Sequence, residues 1–459
     1  MIPEERGAGS MTAAQAAVSP RETAAPPDER QVLRRSMAFK GLAHLTLLGQ
    51  RSKGAAFAAV EIVALASLPL IVRKVTELVT LGSPMPEIPV RFRPNSLFML
   101  IDGITVLAAL GVFVLLYAVS VASARRIARE MTVLGSRESS VRRSPFADLA
   151  NRAFPLVGLA PTFLLIMFFV VVPLVFSALV AFTNYSSPSN IPPGATIDWV
   201  GFENFQRLFG GSAAGTSALA RVFGWTIVWA LLATGTCYFG GMVMAVVMQN
   251  SSLRITPFFR AVFILPYAIP GVVSLLVWRN LLNGAFGTVN RTLEAMHLIS
   301  DPIPWLSDPW LAKFVVVAIN LWCGFPYFML LVTGTMTSIS QDIVEAAKID
   351  GANSFQIFRR IQAPIILYQT MPLIIMSFAA NINNFGAIFF LSGGDPSVSD
   401  SVTTGAGGTD IMVSWIYKLT VDLQQYQNAS VLAIMIFLII APFAIFNFRR
   451  TKSFKEGEL

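Results

Sequence analysis

Three polar side chains recur within an apolar stretch of the chain, in the segment SFAANINNFG. They are Ser377, Asn381 and Asn384, whose spacing of i, i+4 and i+7 places them on one face of a helix. A hydroxyl and two amides offer both donors and acceptors, which suits a ligand rich in hydroxyl groups. Polar groups inside a membrane span are costly and therefore informative. The alternative, which the residues alone favour, is that they only hydrogen-bond neighbouring helices.

Aromatic residues elsewhere in apolar runs fit the same chemistry. Tyr267, Tyr327 and Phe385 are candidates to cover the apolar face of a ring, and the two tyrosines also carry hydroxyl groups. The stretch LPYAIPG holds Pro266 and Pro270, which we expect to break or kink its helix, either to line a cavity or simply for packing. No charged residue lies near the middle of these runs, which favours a neutral ligand.

A second polar stretch, EAAKIDGANSFQIFRRI, lies between two long apolar runs. Its pattern predicts a helix, a turn and a second helix, with Ser340 as the first N-cap. Gly351 is predicted to allow the turn, because glycine tolerates positive φ. Asn353 or Ser354 is the candidate cap of the second helix, and Pro364 is expected to end the unit.

The first of these helices is compact and carries small residues around one acid. Glu345 is followed by Ala346 and Ala347, and Gly351 and Ala352 follow one turn later. Small residues allow another surface to approach closely, so the helix suits a groove on a soluble partner. The alternative is an ordinary connector on the membrane surface, and the residues alone do not decide between the two.

The elements that must position these residues are membrane-spanning helices. The chain is 54% hydrophobic and only 13% charged, whereas soluble proteins carry about 25% charged residues. Eight segments are long and apolar enough to cross a bilayer. This predicts an all-α polytopic membrane protein with spans one to eight at 55–73, 97–122, 156–182, 223–248, 260–283, 312–337, 365–391 and 428–448.

The distribution of positive charges predicts how the chain is oriented in the membrane, and the composition of the first residues predicts the state of the N-terminus. Most of the 34 Lys and Arg residues fall in loops on one side of these spans, which predicts both termini in the cytoplasm. Residues 1–30 have a composition typical of disorder. The stretch that follows predicts either an amphipathic helix on the membrane surface or a plain linker. Glu61, inside the first span, is assigned no role.

Several function classes lack the residues that they require. No G-x-x-x-x-G-K-[ST] phosphate loop occurs, so the chain cannot hydrolyse ATP by that route. Cys237 and Cys323 have no ligand-like neighbours and predict neither a metal site nor a disulfide framework. An ion-coupled secondary transporter would need buried acids or bases, and spans three to eight hold almost none. A membrane enzyme would need a clustered catalytic set, which the sequence does not contain.

The polar stretch EAAKIDGANSFQIFRRIQAP resembles the EAA loop of ABC importer permeases, whose pattern is E-A-A-x-x-x-G followed by I-x-L-P. One position departs from that pattern, because Ala363 stands where the family usually has Leu. The residues that match are Glu345, Ala346, Ala347, Gly351, Ile361 and Pro364.

The resemblance extends over about 150–450. The segments GFENFQRLF, FILPYAIPGVVSLLVWRNLLNGAFGTVN, NLWCGFPYFML, NNFGAIFFLSGGDP and TDIMVSWIYKLT are similar to carbohydrate-uptake permeases. The closest likeness is to the larger, MalF-like membrane subunit of maltose and maltodextrin importers. One feature departs from the enteric form, which carries a large periplasmic domain after span three where this chain has a short loop.

This resemblance implies the architecture of a type I ABC importer permease and a role for particular residues. A sugar site in the middle of the membrane is implied, although Gly271 replaces a serine that lines it in the family. The implied substrate-binding residues are Tyr267, Tyr327, Ser377, Asn381, Asn384 and Phe385. The implied ATPase-coupling residues are Glu345, Ala346, Ala347, Asp350 and Gly351.

The implied organisation is a cytoplasmic N-terminal segment (1–54), two accessory spans with a basic loop (55–155), a six-span core (156–448) containing the EAA loop (340–364), and a cytoplasmic tail (449–459).

The implied assembly lies in a bacterial cytoplasmic membrane. Its partners are a second, MalG-like permease, two copies of an ABC ATPase that uses ATP and Mg, and an extracytoplasmic sugar-binding protein. This chain itself is expected to bind no cofactor or metal and no nucleic acid. The expected cargo is maltose, maltodextrin or a related oligosaccharide. The alternatives are another neutral or sugar-derived solute and, from a different class, an ion-coupled secondary transporter.

Overall fold

The computed structural model describes residues 27–134, 154–211, 213–250 and 256–450, and these residues are mostly helical. Within them the only β-structure consists of two isolated bridges, Thr183 with Trp199 and Ser186 with Asn190. The predicted disordered segment 1–30 lies almost wholly outside the described residues, as do most of the basic loop after span two and the C-terminal tail.

Twenty α-helices are described in these ranges, with a 3-10 turn at Val90–Phe92 and π-helical turns at Met167–Val171, Arg207–Gly211 and Phe358–Gln362. The helices are α1 (Glu29–Ala38), α2 (Leu42–Thr46), α3 (Arg51–Ala66), α4 (Leu68–Thr80), α5 (Ser96–Leu134), α6 (Phe154–Ile166), α7 (Val172–Val180), α8 (Glu203–Gln206), α9 (Ala213–Asn250), α10 (Thr256–Ala268), α11 (Gly271–Leu281), α12 (Thr288–Ala295), α13 (Pro309–Thr337), α14 (Gln341–Ile349), α15 (Ser354–Ile357), α16 (Ala363–Ile382), α17 (Phe385–Leu391), α18 (Ser401–Thr404), α19 (Met412–Val421) and α20 (Tyr426–Arg450).

The predicted membrane spans are confirmed in number and order. Six helical stretches in the described part of the chain are long and apolar enough to cross a membrane, and two bent helix pairs bring the total to eight. The six straight stretches are Val90–Thr132, Gly158–Val180, Gly215–Gln249, Pro309–Thr337, Ser354–Ile382 and Tyr426–Phe446.

Two spans are formed by pairs of helices that meet at an angle. Span one is made of α3 and α4, which meet at 54°, and span five of α10 and α11, which meet at 91°. The predicted break in span five is therefore confirmed. Pro266 lies inside α10, whereas Pro270 is the N-cap of α11 and marks the break, because proline cannot continue the hydrogen-bond ladder.

The chain divides into two compact units. The first comprises Met1–Thr80 with Phe98–Pro173, and the second comprises Leu81–Leu97 with Leu174–Leu459.

In the first unit, the two short N-terminal helices pack on α5. Glu29 at the start of α1 pairs with Arg125 at 2.8 Å and with Arg129 at 3.1 Å. A cluster of buried apolar residues from α1, α2, the residues just after α2, and α5 lies beside these pairs. The segment is therefore a packed helical element and not a plain linker.

Lys40, between α1 and α2, is fully buried in this first unit. Its ammonium group donates to the carbonyl oxygen of Phe113 at 3.2 Å and lies 3.4 Å from the centre of the Phe113 ring. Burial lowers the pKa of Lys40, and the negative charge of Glu61 opposes this shift.

The second unit is built around the contact between α9 and α13, where glycines allow the two backbones to approach closely. A methyl group added at Gly241 would lie 2.6 Å from the backbone nitrogen of Met329 and 2.7 Å from the carbonyl oxygen of Phe325. On α13, a methyl group at Gly324 would lie 2.7 Å from the sulfur of Cys237. Larger residues at these positions would push the helices apart.

The helix α16 completes this packed centre. The hydroxyl groups of Tyr238 on α9 and Thr370 on α16 are 2.9 Å apart and both residues are buried. Apolar side chains from α9, α13 and α16 form one buried cluster around this pair. The three helices therefore pack together along the first half of α16.

We predict that Gly241→Ala destabilises the protein, because the added methyl group meets backbone atoms that cannot move independently of α13. Overpacking of this kind costs about 1–3 kcal/mol. The matched control is Gly235→Ala on the same helix, where an added methyl group meets nothing within 4 Å. Thermal unfolding of the purified variants measures the difference, and equal melting temperatures would contradict the close contact between α9 and α13.

Candidate functional site

The predicted polar row on span seven lies where that span breaks. We expected one continuous helix over 365–391, and this is wrong: α16 ends at Ile382 and α17 begins at Phe385. Asn384 is the N-cap of α17, and its side-chain oxygen accepts from the backbone N–H of Ala387 at 3.3 Å. An asparagine at this position starts a new helix because it supplies the acceptor that the first turn lacks.

The break brings two of the predicted polar residues together. The side-chain nitrogen of Asn384 donates to the side-chain oxygen of Asn381 at 3.2 Å. The side-chain nitrogen of Asn381 in turn donates to the hydroxyl of Thr234 on α9 at 3.0 Å. Both amides are half-buried. Ser377, also half-buried, lies one turn before Asn381 on α16.

The predicted aromatic residues fall into two groups within the second unit. Tyr267, on the last turn of α10, and Tyr327, on α13, have ring centres 6.1 Å apart. Phe385, at the start of α17, instead stacks on Phe389 at 4.7 Å and contacts Tyr417 of α19 at 4.9 Å. Both tyrosine side chains of the first pair are more than a third exposed, so their rings are open to a ligand.

Sequence reasoning missed Trp229 and Thr234, which hold this break from α9. The indole nitrogen of Trp229 donates to the backbone oxygen of Asn381 at 3.0 Å, and Trp229 is fully buried. Thr234 is also buried and accepts from the Asn381 amide. Both lie in span four, where their sequence context is uniformly apolar. A spacing pattern within one span cannot reveal a contact to another span.

The segment that follows α17 is fastened to α9 as well. Arg221 pairs with Asp400 and donates to the carbonyl oxygen of Gly407 at 2.7 Å. One turn along α9, the indole nitrogen of Trp225 donates to the carbonyl oxygen of Thr409 at 3.1 Å. Arg221, Trp225 and Trp229 recur at i, i+4 and i+8, so one face of α9 holds both the break and the loop after it.

A buried carboxylate stabilises the far end of this loop. Asp410 is fully buried and accepts from the Gly407 backbone N–H at 2.6 Å, the Ser414 hydroxyl at 2.7 Å and Lys418 at 2.8 Å. Burial raises the pKa of Asp410, and these donors oppose that shift. Gly394 is required beside it, because an added methyl group would overlap the carboxylate and because its φ is +82°.

We predict that Lys418→Met destabilises the protein by about 3 kcal/mol, because it leaves a buried carboxylate without its cation. Adding Asp410→Asn to Lys418→Met should recover part of this loss, since the uncompensated charge is then gone. The control is Arg207→Met, which breaks an exposed ion pair with Glu203 and should cost less than about 1 kcal/mol. Melting temperatures of the purified variants measure all three, and additive losses in the double variant would refute the pairing.

The second candidate site is the polar loop between spans six and seven. Its first helix, α14, contains no buried residue. Ser340 occupies the N-cap position as predicted, but its hydroxyl donates to the Asp342 carboxylate at 3.3 Å instead of accepting a backbone N–H. Gly351 has a φ of +83°, which confirms the predicted turn.

The second half of the loop begins as predicted and ends differently. Asn353 forms a capping box with Gln356 at the start of α15. We expected Pro364 to end the unit, and this is wrong, because the helix continues through a π-helical turn into α16. A π-helical turn shifts the hydrogen bonds by one residue, so the missing N–H of a proline at the start of α16 interrupts no regular ladder.

Around the turn at Gly351, large apolar side chains face solvent. Ile349 is 86% exposed, Phe355 is 67% exposed and Ile343 is 47% exposed. Glu345, Ala346, Ala347 and Asp350 lie between or beside them on α14 and its C-cap. An exposed apolar patch with a central acid on a short helix is typical of a surface that binds another protein.

The described ranges hold no group of three or more His, Cys, Asp or Glu residues placed to bind a metal ion.

The sequence model described as "Binding-protein-dependent transport system inner membrane component" matches residues 237–450, which include the break in span seven and the polar loop. The galactooligosaccharides transport system permease protein GanP of Bacillus subtilis (strain 168) is 36% identical over 377 residues, covering 82% of this chain and 87% of that protein. The chain belongs to the family of binding-protein-dependent ABC importer permeases. The predicted resemblance to sugar-uptake permeases is thereby confirmed.

Other similar proteins agree with this assignment. This permease is 33% identical to the maltodextrin transport system permease protein MdxF of Bacillus subtilis (strain 168), over 89% of this chain and 93% of that one. A crystal structure of a bacterial ABC transporter involved in the import of the acidic polysaccharide alginate matches its fold, with a TM-score of 0.53 and 20% identity. That match covers 67% of this permease and 99% of the other chain.

Proposed function

We propose that this permease forms half of the pathway of an ATP-driven importer for neutral oligosaccharides such as maltodextrins. The names of its relatives support the class of cargo, since they are described as permeases for galactooligosaccharides and maltodextrin. The observation that carries the proposal is the amide row, which is formed by Asn381 and Asn384 at the break in span seven. There, half-buried donors and acceptors lie within an apolar span. Such groups suit sugar hydroxyls, and the row carries no charge.

The proposed sugar site uses Tyr267, Tyr327, Ser377, Asn381 and Asn384, with Phe385 beside the row. The open tyrosine pair would stack on the apolar face of a sugar ring while the amides bind its hydroxyls. Gly271, where the family has a serine, lies at the start of α11, and an added methyl group there meets nothing within 4 Å. The site therefore has room but lacks one hydroxyl, which bears on which oligosaccharide it accepts.

The proposed coupling surface is α14 and the turn at Gly351. Under the charge distribution of the loops, both termini and this turn lie in the cytoplasm. An ABC ATPase would dock there, with Glu345 as a charged contact and Asp350 beside the turn, and would use ATP and Mg in its own subunits. The exposed apolar side chains around the turn support this role. A second, MalG-like permease and a sugar-binding protein would complete the importer.

We predict that affinity purification of the tagged chain from its native membranes in mild detergent brings down an ATPase and a second permease, identified by mass spectrometry. Glu345→Lys should lose the ATPase, because it reverses the charge at the centre of the docking helix. The control is Glu87→Lys, the same charge change at an exposed residue that lies outside the membrane on the opposite side in the proposed topology. Recovery of the chain alone from wild-type membranes would contradict the proposed assembly.

We further predict that Gly351→Pro abolishes sugar uptake while the chain still inserts into the membrane. Proline fixes φ near −65° and cannot adopt the φ of +83° found at Gly351. Gly351→Ala should be milder, because a left-handed residue other than glycine costs about 1–2 kcal/mol and the added methyl group meets no neighbour within 4 Å. Uptake of labelled sugar, with the amount of membrane-inserted chain measured in parallel, tests both variants. Normal uptake with proline at this position would count against a coupling role for the turn.

A further inference from the structure

The amide row at the break in span seven, formed by Asn381 and Asn384, has a direction that is fixed from one end. At one end, the backbone N–H of Ala387 can only donate, so Asn384 must turn its side-chain oxygen towards it. The nitrogen of Asn384 then faces Asn381, which must present its own oxygen. The nitrogen of Asn381 is left to donate, and the hydroxyl of Thr234 accepts it.

We infer that Thr234 is a positioning residue that holds the side chain of Asn381, and through it the amide row, in place for the sugar. The inference rests on the proposed function of the row. Without the Thr234 hydroxyl, the nitrogen of Asn381 would lose its acceptor in a buried setting, and the side chain would gain by turning away from the row towards another acceptor. The nitrogen of Asn384 would then lose its acceptor on Asn381, so the effect would pass along the row.

The fixed orientation matters because of what it leaves available. Each amide NH₂ group uses one of its two N–H bonds within the row, and each oxygen has a second lone pair. A bound sugar therefore meets one defined pattern of donors and acceptors and not a mixture of two. A ligand that binds only the intact row is bound more weakly by the reciprocal of the fraction of molecules in which the row is intact.

The placement of Thr234 supports a dedicated role. Trp229 fixes the backbone oxygen of Asn381 and Thr234 fixes its side chain, so α9 holds the same residue at two points. Thr234 is 4% exposed, and its hydroxyl forms a hydrogen bond between two helices, α9 and α16. By contrast, the hydroxyl of nearby Thr236 on α9 bonds to the carbonyl oxygen of Leu232 within its own helix.

The experiment measures uptake by cells that carry the intact importer with this chain replaced by variants. The probes are labelled maltotriose and a labelled galactooligosaccharide. Thr234→Val and Thr234→Ala should raise the apparent KM about tenfold, the effect of losing about one anchoring hydrogen bond, with a smaller change in maximal rate. Thr234→Ser, which keeps the hydroxyl, should restore the wild-type KM. Thr236→Val should leave KM unchanged.

The outcomes separate this inference from the proposed function. Asn384→Ala removes the centre of the row, so wild-type uptake by that variant, or no uptake of either probe by the wild type, overturns the proposed function and this inference with it. If Asn384→Ala fails to transport while both Thr234→Val and Thr234→Ala keep the wild-type KM, only the positioning role is overturned. A lower maximal rate with unchanged KM, or a failure of serine to rescue, also overturns it, since that is the signature of a merely structural residue.

Discussion

A break inside a membrane span exposes backbone groups that lipid cannot satisfy, and the second unit of this protein is arranged around that constraint. Span seven stops at Ile382 and restarts at Phe385. The carbonyl groups at the end of α16 and the N–H groups at the start of α17 lose their regular partners. The structure supplies substitutes from side chains: Trp229 donates to the end of one helix, and Asn384 accepts from the start of the next. Asn384 therefore both repairs the backbone and belongs to the polar row.

The partner that makes this repair possible is α9. Three side chains of α9 that donate to other segments are spaced one turn apart. Arg221 and Trp225 donate to the loop after span seven, and Trp229 donates to the end of α16 at the break. Further along α9, Gly240 and Gly241 have no side chain and so allow α13 to approach closely. One helix thus combines large hydrogen-bonding residues, where backbone groups need partners, with glycines, where two helices must touch. This division explains why substitutions only a few turns apart are expected to have different effects.

The sequence predicted the parts of this arrangement that depend on short, local residue patterns. Hydropathy gave the spans, the prolines gave the break in span five, and the E-A-A-x-x-x-G pattern gave the turn whose glycine has positive φ. The break at Asn383 and Asn384 was missed, because two asparagines within an apolar run fit a continuous helix equally well until a tertiary donor is known. Thr234 and Trp229 were missed for the same reason. The continuation of the loop through Pro364 depended on a π-helical turn that no composition signal marks.

The geometry of span seven also connects the two candidate sites. The helical stretch Ser354–Ile382 begins three residues after Gly351 and ends at the residue after Asn381. Its 29 residues correspond to about 43 Å along a helix axis, so the turn and the amide row lie at opposite ends of one long helical stretch. A capping box fixes its first turn, and Trp229 and Thr234 fix its last. A displacement of the turn at Gly351 must therefore either move the amide row or be absorbed within this stretch, where the π-helical turn and Pro372 interrupt the regular ladder. Because Trp229 and Thr234 hold Asn381 at two points, the interrupted ladder within the stretch is the part that can yield.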